Sequence, residues 1–463
     1  MAPRVNPPAL PGLRPTFELL EREAASLGVR ALVVGGYVRD RLLGGEREAA
    51  INEVDVLVLG GKGIALAQAV ARLASSHPPV IFERFGTAHV ETPGFAIEFV
   101  SSRVEKYQRE SRKPEVTPGS LLDDVMRRDF TVNSLLMEWD GTVLDLTGRG
   151  LDDLAARRIA TPLEPAVTFD EDPLRMLRAV RFAVTLGFEL DPAVEEAIRQ
   201  HAARLRPPVV SMERIRDEFL KILIAPDVLE GLRLLDSTGL LPLILPELEP
   251  GKGMEQGGWH SHDVFGHALL ACSLTPPDGE TRLAGLLHDV GKPATHEKRE
   301  GKITFIGHQE VGARIAADTL KRLRFPGEQI EAVSRLVRLH MRPIQYDPES
   351  WEDRAVRRLV RDAGPELDRL LDLARADMRA SHYPDVRKID HLAERIERLD
   401  AEAINAIRSP LDGEQLMART GRPAGPWIGR AKLALEEAIL DGMPADPESA
   451  WHFLESHPEL LRS

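Results

Sequence analysis

The chain has 463 residues, 43% of them hydrophobic and 29% charged, with a net charge of −13. This is globular composition rather than disorder, and at ~150 residues per domain it predicts about three domains. No run approaches the ~18–20 apolar residues of a membrane span. The lone Cys272 excludes an intrachain disulfide and a zinc site built on several thiolates, and the acidic balance argues against a surface coated with nucleic acid.

Residues 1–15 hold five prolines (Pro3, Pro7, Pro8, Pro11, Pro15) and no apolar signal-peptide core, which predicts a disordered arm on a cytoplasmic protein. Residues 16–150 mix periods. Strands are expected over 31–38, 54–60, 95–102 and 141–147, and a helix over 63–76, where apolar residues recur at three and four. That interleaving reads as an α/β domain. From 151 onward strand signals nearly vanish. Helices are expected over 171–187, 192–205, 211–225 and 388–409, and the Pro/Gly-rich stretch 241–258 marks a boundary.

In "VVGGYVRDRLLGG" (33–45) a glycine pair follows a strand and precedes a helix. Gly35 and Gly36 let backbone amides approach a phosphate, and Arg39, one turn into the helix, is placed to clamp it. Glu53 and Asp55, at i and i+2 of "NEVDVLVLG" (52–60), point to one face of a strand and suit paired magnesium ions. Glu98 in "FAIEFVSSR" (95–103) offers a third carboxylate.

With "RRDFTVNSLLM" (127–137), "LTGRGLDDLAARRI" (146–159) and "FDEDPLRMLRAVRFA" (169–183) following in order, residues 30–240 resemble the class II tRNA nucleotidyltransferase (CCA-adding enzyme) and poly(A) polymerase family. The resemblance implies template-independent nucleotidyl transfer from CTP and ATP to a tRNA 3′ end. Glu53, Asp55 and Glu98 would be catalytic, the first two holding Mg2+. Gly35, Gly36 and Arg39 would bind the triphosphate, and Arg128, Asp129 and Asn133 the incoming nucleotide. Asp172 and Arg175, at i and i+3, would read its base edge, with Arg178 and Arg181 following on the same helix. Asp172 before Pro173 is equally an ideal helix cap. One position departs from the family, which usually has aspartate where this chain has Glu53; the extra methylene displaces the carboxylate by roughly 1.5 Å. The polar stretch 104–120, with Lys106, Arg109, Arg112, Lys113 and Pro114, resembles the family's flexible loop, thought to help the switch from CTP to ATP.

A second constellation spans residues 259–385. His288–Asp289 ends an apolar helical run, with His267, His308, His340 and Asp377 at wide spacing around it. Imidazoles with carboxylates suit divalent transition metals, and the order resembles the HD phosphohydrolase superfamily. The resemblance implies a metal centre held by His267, His288, Asp289 and Asp377, with His308 and His340 completing a second site. It gives Asp289 a bridging role and Lys292 a phosphate contact, in a phosphohydrolase acting on 2′,3′-cyclic phosphates or nucleotides. His260, His262 and His296 are weaker candidates.

The expected architecture is multidomain: an α/β polymerase-β-like nucleotidyltransferase head (16–150), an all-α neck for base recognition and RNA binding (151–240), an HD domain (255–385) and a helical tail (386–463). Full CCA addition is the favoured activity; CC-only, A-only and poly(A) addition share these motifs. More distant alternatives are a protein-modifying nucleotidyltransferase, an alarmone synthetase/hydrolase and, given Glu53, a catalytically weakened RNA-binding protein. No membrane partner is expected, and no pattern sets an oligomeric state. Segment 172–216 carries eight arginines against six acids, a narrow basic strip in an acidic chain and the expected place for tRNA.

Overall fold

The computed structural model describes residues 13–45, 47, 51–73, 77–83, 86–92, 95–108, 111–257, 261–299, 302–381 and 385–462. It divides into two compact units, Met1–Pro246 and Glu247–Ser463. Residues 1–12 of the expected arm lie outside the described residues, and its last three belong to the helix Leu13–Ser26. Among the described residues no helix is long and apolar enough to cross a membrane.

The first unit is built on a mixed sheet in the order β3-β4-β5-β2-β1-β8-β9. The strands are β1 (Ala31–Val34), β2 (Glu53–Val58), β3 (Val80–Phe82), β4 (Thr87–Thr92), β5 (Phe95–Ser101), β8 (Leu136–Met137) and β9 (Val143–Leu144). β2 and β5 run parallel; the other neighbours are antiparallel. Every residue of β1 is buried, which accounts for its unbroken apolar run. The helix Gly63–Leu73 packs against β4, β5 and the helix Leu13–Ser26. The expected strand 31–38 stops at Val34, because Gly35 turns the chain with φ +82° and Gly36 opens the helix Gly36–Leu43. β3, only three residues long, and β4, with four polar residues in six, complete the sheet. Where a loop is expected at 104–120, the backbone forms an antiparallel pair, β6 (Arg103–Gln108) and β7 (Ser111–Pro118); the side chains there lie outside the described residues.

Helices follow. The helix expected over 171–187 runs from Leu174 to Leu186, and Glu171 ends a separate preceding helix, Pro165–Glu171. The break has a local cause: Pro173 excludes the helical region for the residue before it, and Asp172 sits extended at φ −141° and ψ 100°. Leu174–Leu186 packs on Met212–Leu223 and Val228–Ser237. The short strands β10 (Arg158–Ile159) and β11 (Glu189–Leu190) pair in parallel.

In the second unit the helix Gly279–Leu287 is buried from Thr281 onward. Around it pack the helices Val264–Leu274, Gly327–Leu339 and Leu367–Ala380, and His308–Arg322 packs in turn on Gly327–Leu339. A hairpin that the sequence does not announce, β12 (Glu297–Arg299) and β13 (Lys302–Thr304), precedes His308. The helix expected over 388–409 breaks at Asp400, whose φ is +57°, into Arg387–Arg398 and Ala401–Asn405. Further on, Leu411, Leu416, Trp427, Leu435 and Leu454 form a separate small core.

One contact closes the centre of this unit. Gly291 lies so tightly on the first turn of His308–Arg322 that a Cβ there would stand 2.1 Å from the His308 carbonyl oxygen and 2.6 Å from the Gly312 nitrogen. Gly291→Ala is therefore expected to destabilise this unit by about 1–3 kcal/mol; a calorimetric melting profile unchanged from the native one would refute the packing described.

Two candidate functional sites

The acids of the first unit meet because β2 and β5 are parallel and in register. Asp55 lies opposite Glu98, and Glu53, two residues earlier, faces the same side. One oxygen from each lies within 4.8 Å of the others. Glu53 and Asp55 line a cleft of about 300 Å³ together with Gly36, Tyr37, Asp40 and Arg47. Burial pushes the Asp55 carboxyl up to about 6; Arg128 opposes that rise, and Glu98 and Glu53 add to it. Gly35 closes over this group: a Cβ there would stand 2.9 Å from Asp55 Oδ2. Clustered carboxylates that raise one another's proton affinity are a donor set for a hard divalent cation, and Glu53, though longer than aspartate, supplies the same oxygen ligand.

Behind the acids runs a chain of buried polar contacts. Arg39, 7% exposed, donates to Asn133 Oδ1 at 2.6 Å and to Asp40 at 2.8 Å, so its guanidinium lies inside the fold and not in the cleft. Asn133 donates to Asp129 Oδ1 at 3.1 Å, and Arg178 forks onto Asp129 Oδ2 at 2.5 and 2.9 Å. Burial works against the Asp129 charge, but Arg178 and Asn133 outweigh it and hold its pKa below the usual range. Glu218, 4% exposed, receives Arg181 at 2.6 Å, with Arg178 at 3.8 Å. The Phe182 ring underlies Arg39, Arg178 and Arg181 at 5.3, 5.4 and 4.0 Å. Arg128 is fixed by the fully buried Asp124, which also holds Arg127.

Asp172 does cap: its Oδ1 accepts from the Leu174 nitrogen at 3.1 Å, while its Oδ2 is held by Arg214 at 2.8 Å. Arg175 donates to the Arg127 carbonyl at 2.7 Å and to Glu171 at 3.0 Å, which brings it beside Arg128. Asp124, Glu218, Phe182, Arg214 and Arg47 were not singled out from sequence. Asp124 had a signal, since it stands three and four residues before an arginine pair. The others depend on contacts between distant segments.

In the second unit all six predicted ligands converge. His267, His288 and Asp377 form one cluster and Asp289, His308 and His340 another, every ligand atom within 4.8 Å of its cluster mates. His267 Nε2 is 3.1 Å from Asp377 and 3.6 Å from Asp289; His288 Nε2 is 3.1 Å and His308 Nε2 3.4 Å from Asp289. Asp289 thus faces both clusters. The Nδ1 atoms of His288, His308 and His340 donate to the carbonyls of Gly285, Phe305 and Val337 at 2.8, 2.8 and 2.7 Å. A carbonyl only accepts, so each ring is fixed with Nε2 unprotonated or charged and directed at the centre, as metal-binding imidazoles require. Lys292 donates to Asp289 and to Gln256, both at 2.6 Å; Gln256 is a further contact not foreseen. Burial opposes a charge on His288, but Asp289 and Asp377 push its pKa up to about 9; burial and His288 push His340 down to about 3. Two carboxylates set among buried imidazoles require positive charge, and this donor set fits divalent metals. His262 and His296 are exposed and stand outside both clusters, and His260 lies outside the described residues.

Residues 31–160 match the family model described as the poly A polymerase head domain, 187–252 that of the probable RNA and SrmB-binding site of polymerase A, and 260–404 the HD domain. The A-adding tRNA nucleotidyltransferase of Deinococcus radiodurans is 35% identical over 444 residues, 93% of this chain and 96% of that one. The chain belongs to the tRNA nucleotidyltransferase family. A second member of the tRNA nucleotidyltransferase family, the CC-adding enzyme of Thermus thermophilus, is 38% identical over 74% of this chain and 79% of its own. Among solved structures, the Bacillus stearothermophilus CCA-adding enzyme in complex with CTP matches with a TM-score of 0.67 and 26% identity, covering 96% of this chain and 98% of that one. As a member of this family the chain is an enzyme, with a polymerase head and an HD domain.

Protons and cations compete for Asp55. Its raised pKa means the group gains a proton as pH falls through about 6, so the affinity of the head for a divalent cation is expected to fall about tenfold per pH unit below that value. Calorimetric Mg2+ titrations on either side of pH 6 check this. A flat profile, or an unchanged one in Asp55→Asn, would contradict it.

Proposed function

We propose that this enzyme adds nucleotides from CTP and ATP, without a template, to the 3′ end of tRNA, building its CCA terminus. The observation that carries this reading is the trio Glu53, Asp55 and Glu98 beside the Gly35–Gly36 turn, joined through Asn133, Asp129 and Arg178 to the helix that bears Arg175. In the reaction the tRNA 3′ oxygen bonds to the α-phosphorus and pyrophosphate leaves. Mg2+, held by Glu53, Asp55 and Glu98, would supply neutralisation of the phosphate charge. Gly35 and Gly36 admit the triphosphate to the backbone amides, and Arg128 and Arg47 offer cations at the cleft. Arg39 positions Asn133, and Asn133 positions Asp129 for the ribose. Arg175 and Asp172 exchange their present partners, Glu171 and Arg214, for the edge of the base.

A-only addition is the second reading, favoured by the full-length similarity to the Deinococcus enzyme. The segment 104–120, which resembles the family's flexible loop, supports ATP use. Labelled CTP and ATP offered to tRNAs ending before CCA, CA and A separate the readings: incorporation on all three supports full CCA synthesis, on the last alone A addition. The native enzyme and Glu53→Asp are both expected to incorporate, and Asp55→Ala to lose at least about a hundredfold. No incorporation by either the native enzyme or Glu53→Asp would sink the transferase reading.

For the HD centre the reading is a metal-dependent phosphohydrolase on 2′,3′-cyclic phosphates or nucleotides, in which a water oxygen bonds to phosphorus and an ester P–O bond breaks. It is supported by the two facing ligand clusters and by Lys292, which can hold a phosphate oxygen. Hydrolysis of 2′,3′-cyclic AMP with Mg2+, Mn2+, Co2+ or Ni2+ is expected, together with a loss of metal content and activity in His288→Ala. Retention of the cyclic ester with every metal would overturn it.

A further inference from the structure

Arg128 stands where two groups compete for it. Its Nη1 would lie 3.6 Å from a Cβ built on Gly35, and Asp55 Oδ2 would lie 2.9 Å from the same atom. A guanidinium so close to Glu53, Asp55 and Glu98 is drawn towards them, and it already opposes the rise in the Asp55 pKa. A collapse onto these acids would occupy the oxygens that a divalent cation needs. It does not occur. Among the described residues Arg128 makes no ion pair within 4 Å with any of the three acids; its partner is Asp124.

Asp124 is placed to prevent that collapse. It is fully buried on the helix Leu121–Met126, which a reciprocal cap between Ser120 and Asp123 fastens. The next residue, Val125, packs with Leu32 and Val34 of β1 and Leu57 of β2, so the carboxylate is fixed against the strand that carries Asp55. Its two oxygens divide the arginine pair. Oδ1 accepts from Arg127 at 2.5 and 3.0 Å, and Oδ2 accepts from Arg128 Nε at 3.2 Å and Nη2 at 3.1 Å. Only one edge of the Arg128 fork is used in this way, and Nη1 stays at the Gly35 turn. One carboxylate between two guanidinium groups leaves a net positive charge there, the sign that a triphosphate requires.

We propose that Asp124 is a positioning residue that withholds Arg128 from the metal-binding acids and presents its remaining edge to the triphosphate of the incoming nucleotide. This rests on the transferase reading above and adds a division of labour within that site. A guanidinium can serve both partners because its planar fork carries donors on two edges; the single ammonium of a lysine cannot. In Asp124→Asn, Arg128 loses its anchor and turns to Asp55, where it excludes the cation.

Calorimetric binding to the full chain separates this role from a purely structural one. The Mg2+-binding component that Asp55→Asn abolishes belongs to the head. Its affinity is expected to fall about tenfold in Asp124→Asn and to return in Asp124→Asn/Arg128→Gln, which removes the competitor. In metal-free buffer, CTP binding is expected to weaken about tenfold in Asp124→Asn, Arg128→Gln and Arg128→Lys alike, while CMP, without the terminal phosphates, binds as it does to the native chain. A double variant no better for Mg2+ than Asp124→Asn overturns the proposal, as does an equal loss for CMP and CTP or an unchanged affinity for CTP. If Asp124→Asn does not fold, Arg128→Lys decides: a loss confined to CTP upholds the proposal and native CTP affinity overturns it. Incorporation into tRNA by the native enzyme is measured in parallel, so failure of the transferase reading is seen separately from failure of this one.

Discussion

The first unit depends on the pairing of Asp129 with Arg178. A carboxylate in that position is buried, and burial alone would raise its pKa. Two contacts from one guanidinium, an amide from Asn133 and the Phe130 backbone nitrogen at 2.8 Å reverse that preference. Because a buried charge stripped of its partner is far more costly than the pair is favourable, the segment 127–137 and the helix Leu174–Leu186 are obliged to keep their relative position. Everything that touches a nucleotide in the proposed reaction is hung on those two elements or on the strands beside them. Glu218 extends the constraint to a third segment by holding Arg181, so the helix that bears Arg175, Arg178 and Arg181 is held from both sides.

The second unit solves a related electrostatic problem by different means. Its carboxylates, Asp289 and Asp377, are surrounded by imidazoles instead of guanidinium groups. Imidazoles can give up their protons, and here three of them are oriented by main-chain carbonyls one turn earlier. That arrangement would let a metal take the place of a proton without moving a side chain. It also explains the tolerance shown by Gly291 for nothing larger than hydrogen. The first turn of His308–Arg322 must approach the His288–Asp289 segment closely enough for His308 to reach Asp289, and a methyl group would hold it off.

Much of this was legible in the sequence, and the parts that were not share a reason. Gly35, Asp55, His288 and Asp289 stand in compact motifs whose spacing carries their geometry. The fold class followed from the change of period near residue 150. Arg39 was legible as a residue but not as a buried one, because its partner Asn133 lies far along the chain. The break at Asp172 was visible in Pro173, yet the apolar periodicity on either side masked it. Glu218, Gln256 and the hairpin β12–β13 gave no local signal: each acquires its place from contacts with segments brought together only by folding. β3, half exposed and paired along one edge, is apolar throughout but at three residues too short to announce itself as β1 and β2 do.

The acidic balance of the chain takes on a different meaning once its arginines are traced. Of the eight in 172–216, Arg175, Arg178, Arg181, Arg199, Arg204, Arg214 and Arg216 pair with Glu171, Asp129, Glu218, Glu195, Asp170, Asp172 and Asp217; among the described residues Arg206 makes no ion pair within 4 Å. A strip that looked like a footprint for phosphates is therefore largely neutralised from within. Fully exposed cations would condense any polyanion with a steep dependence on salt. Arginines already held by carboxylates gain little from a passing phosphate and respond to a ligand that offers a better-placed set of acceptors than the one they have. The surplus of acids therefore includes the partners of these arginines, and the net charge alone does not argue against a nucleic-acid partner.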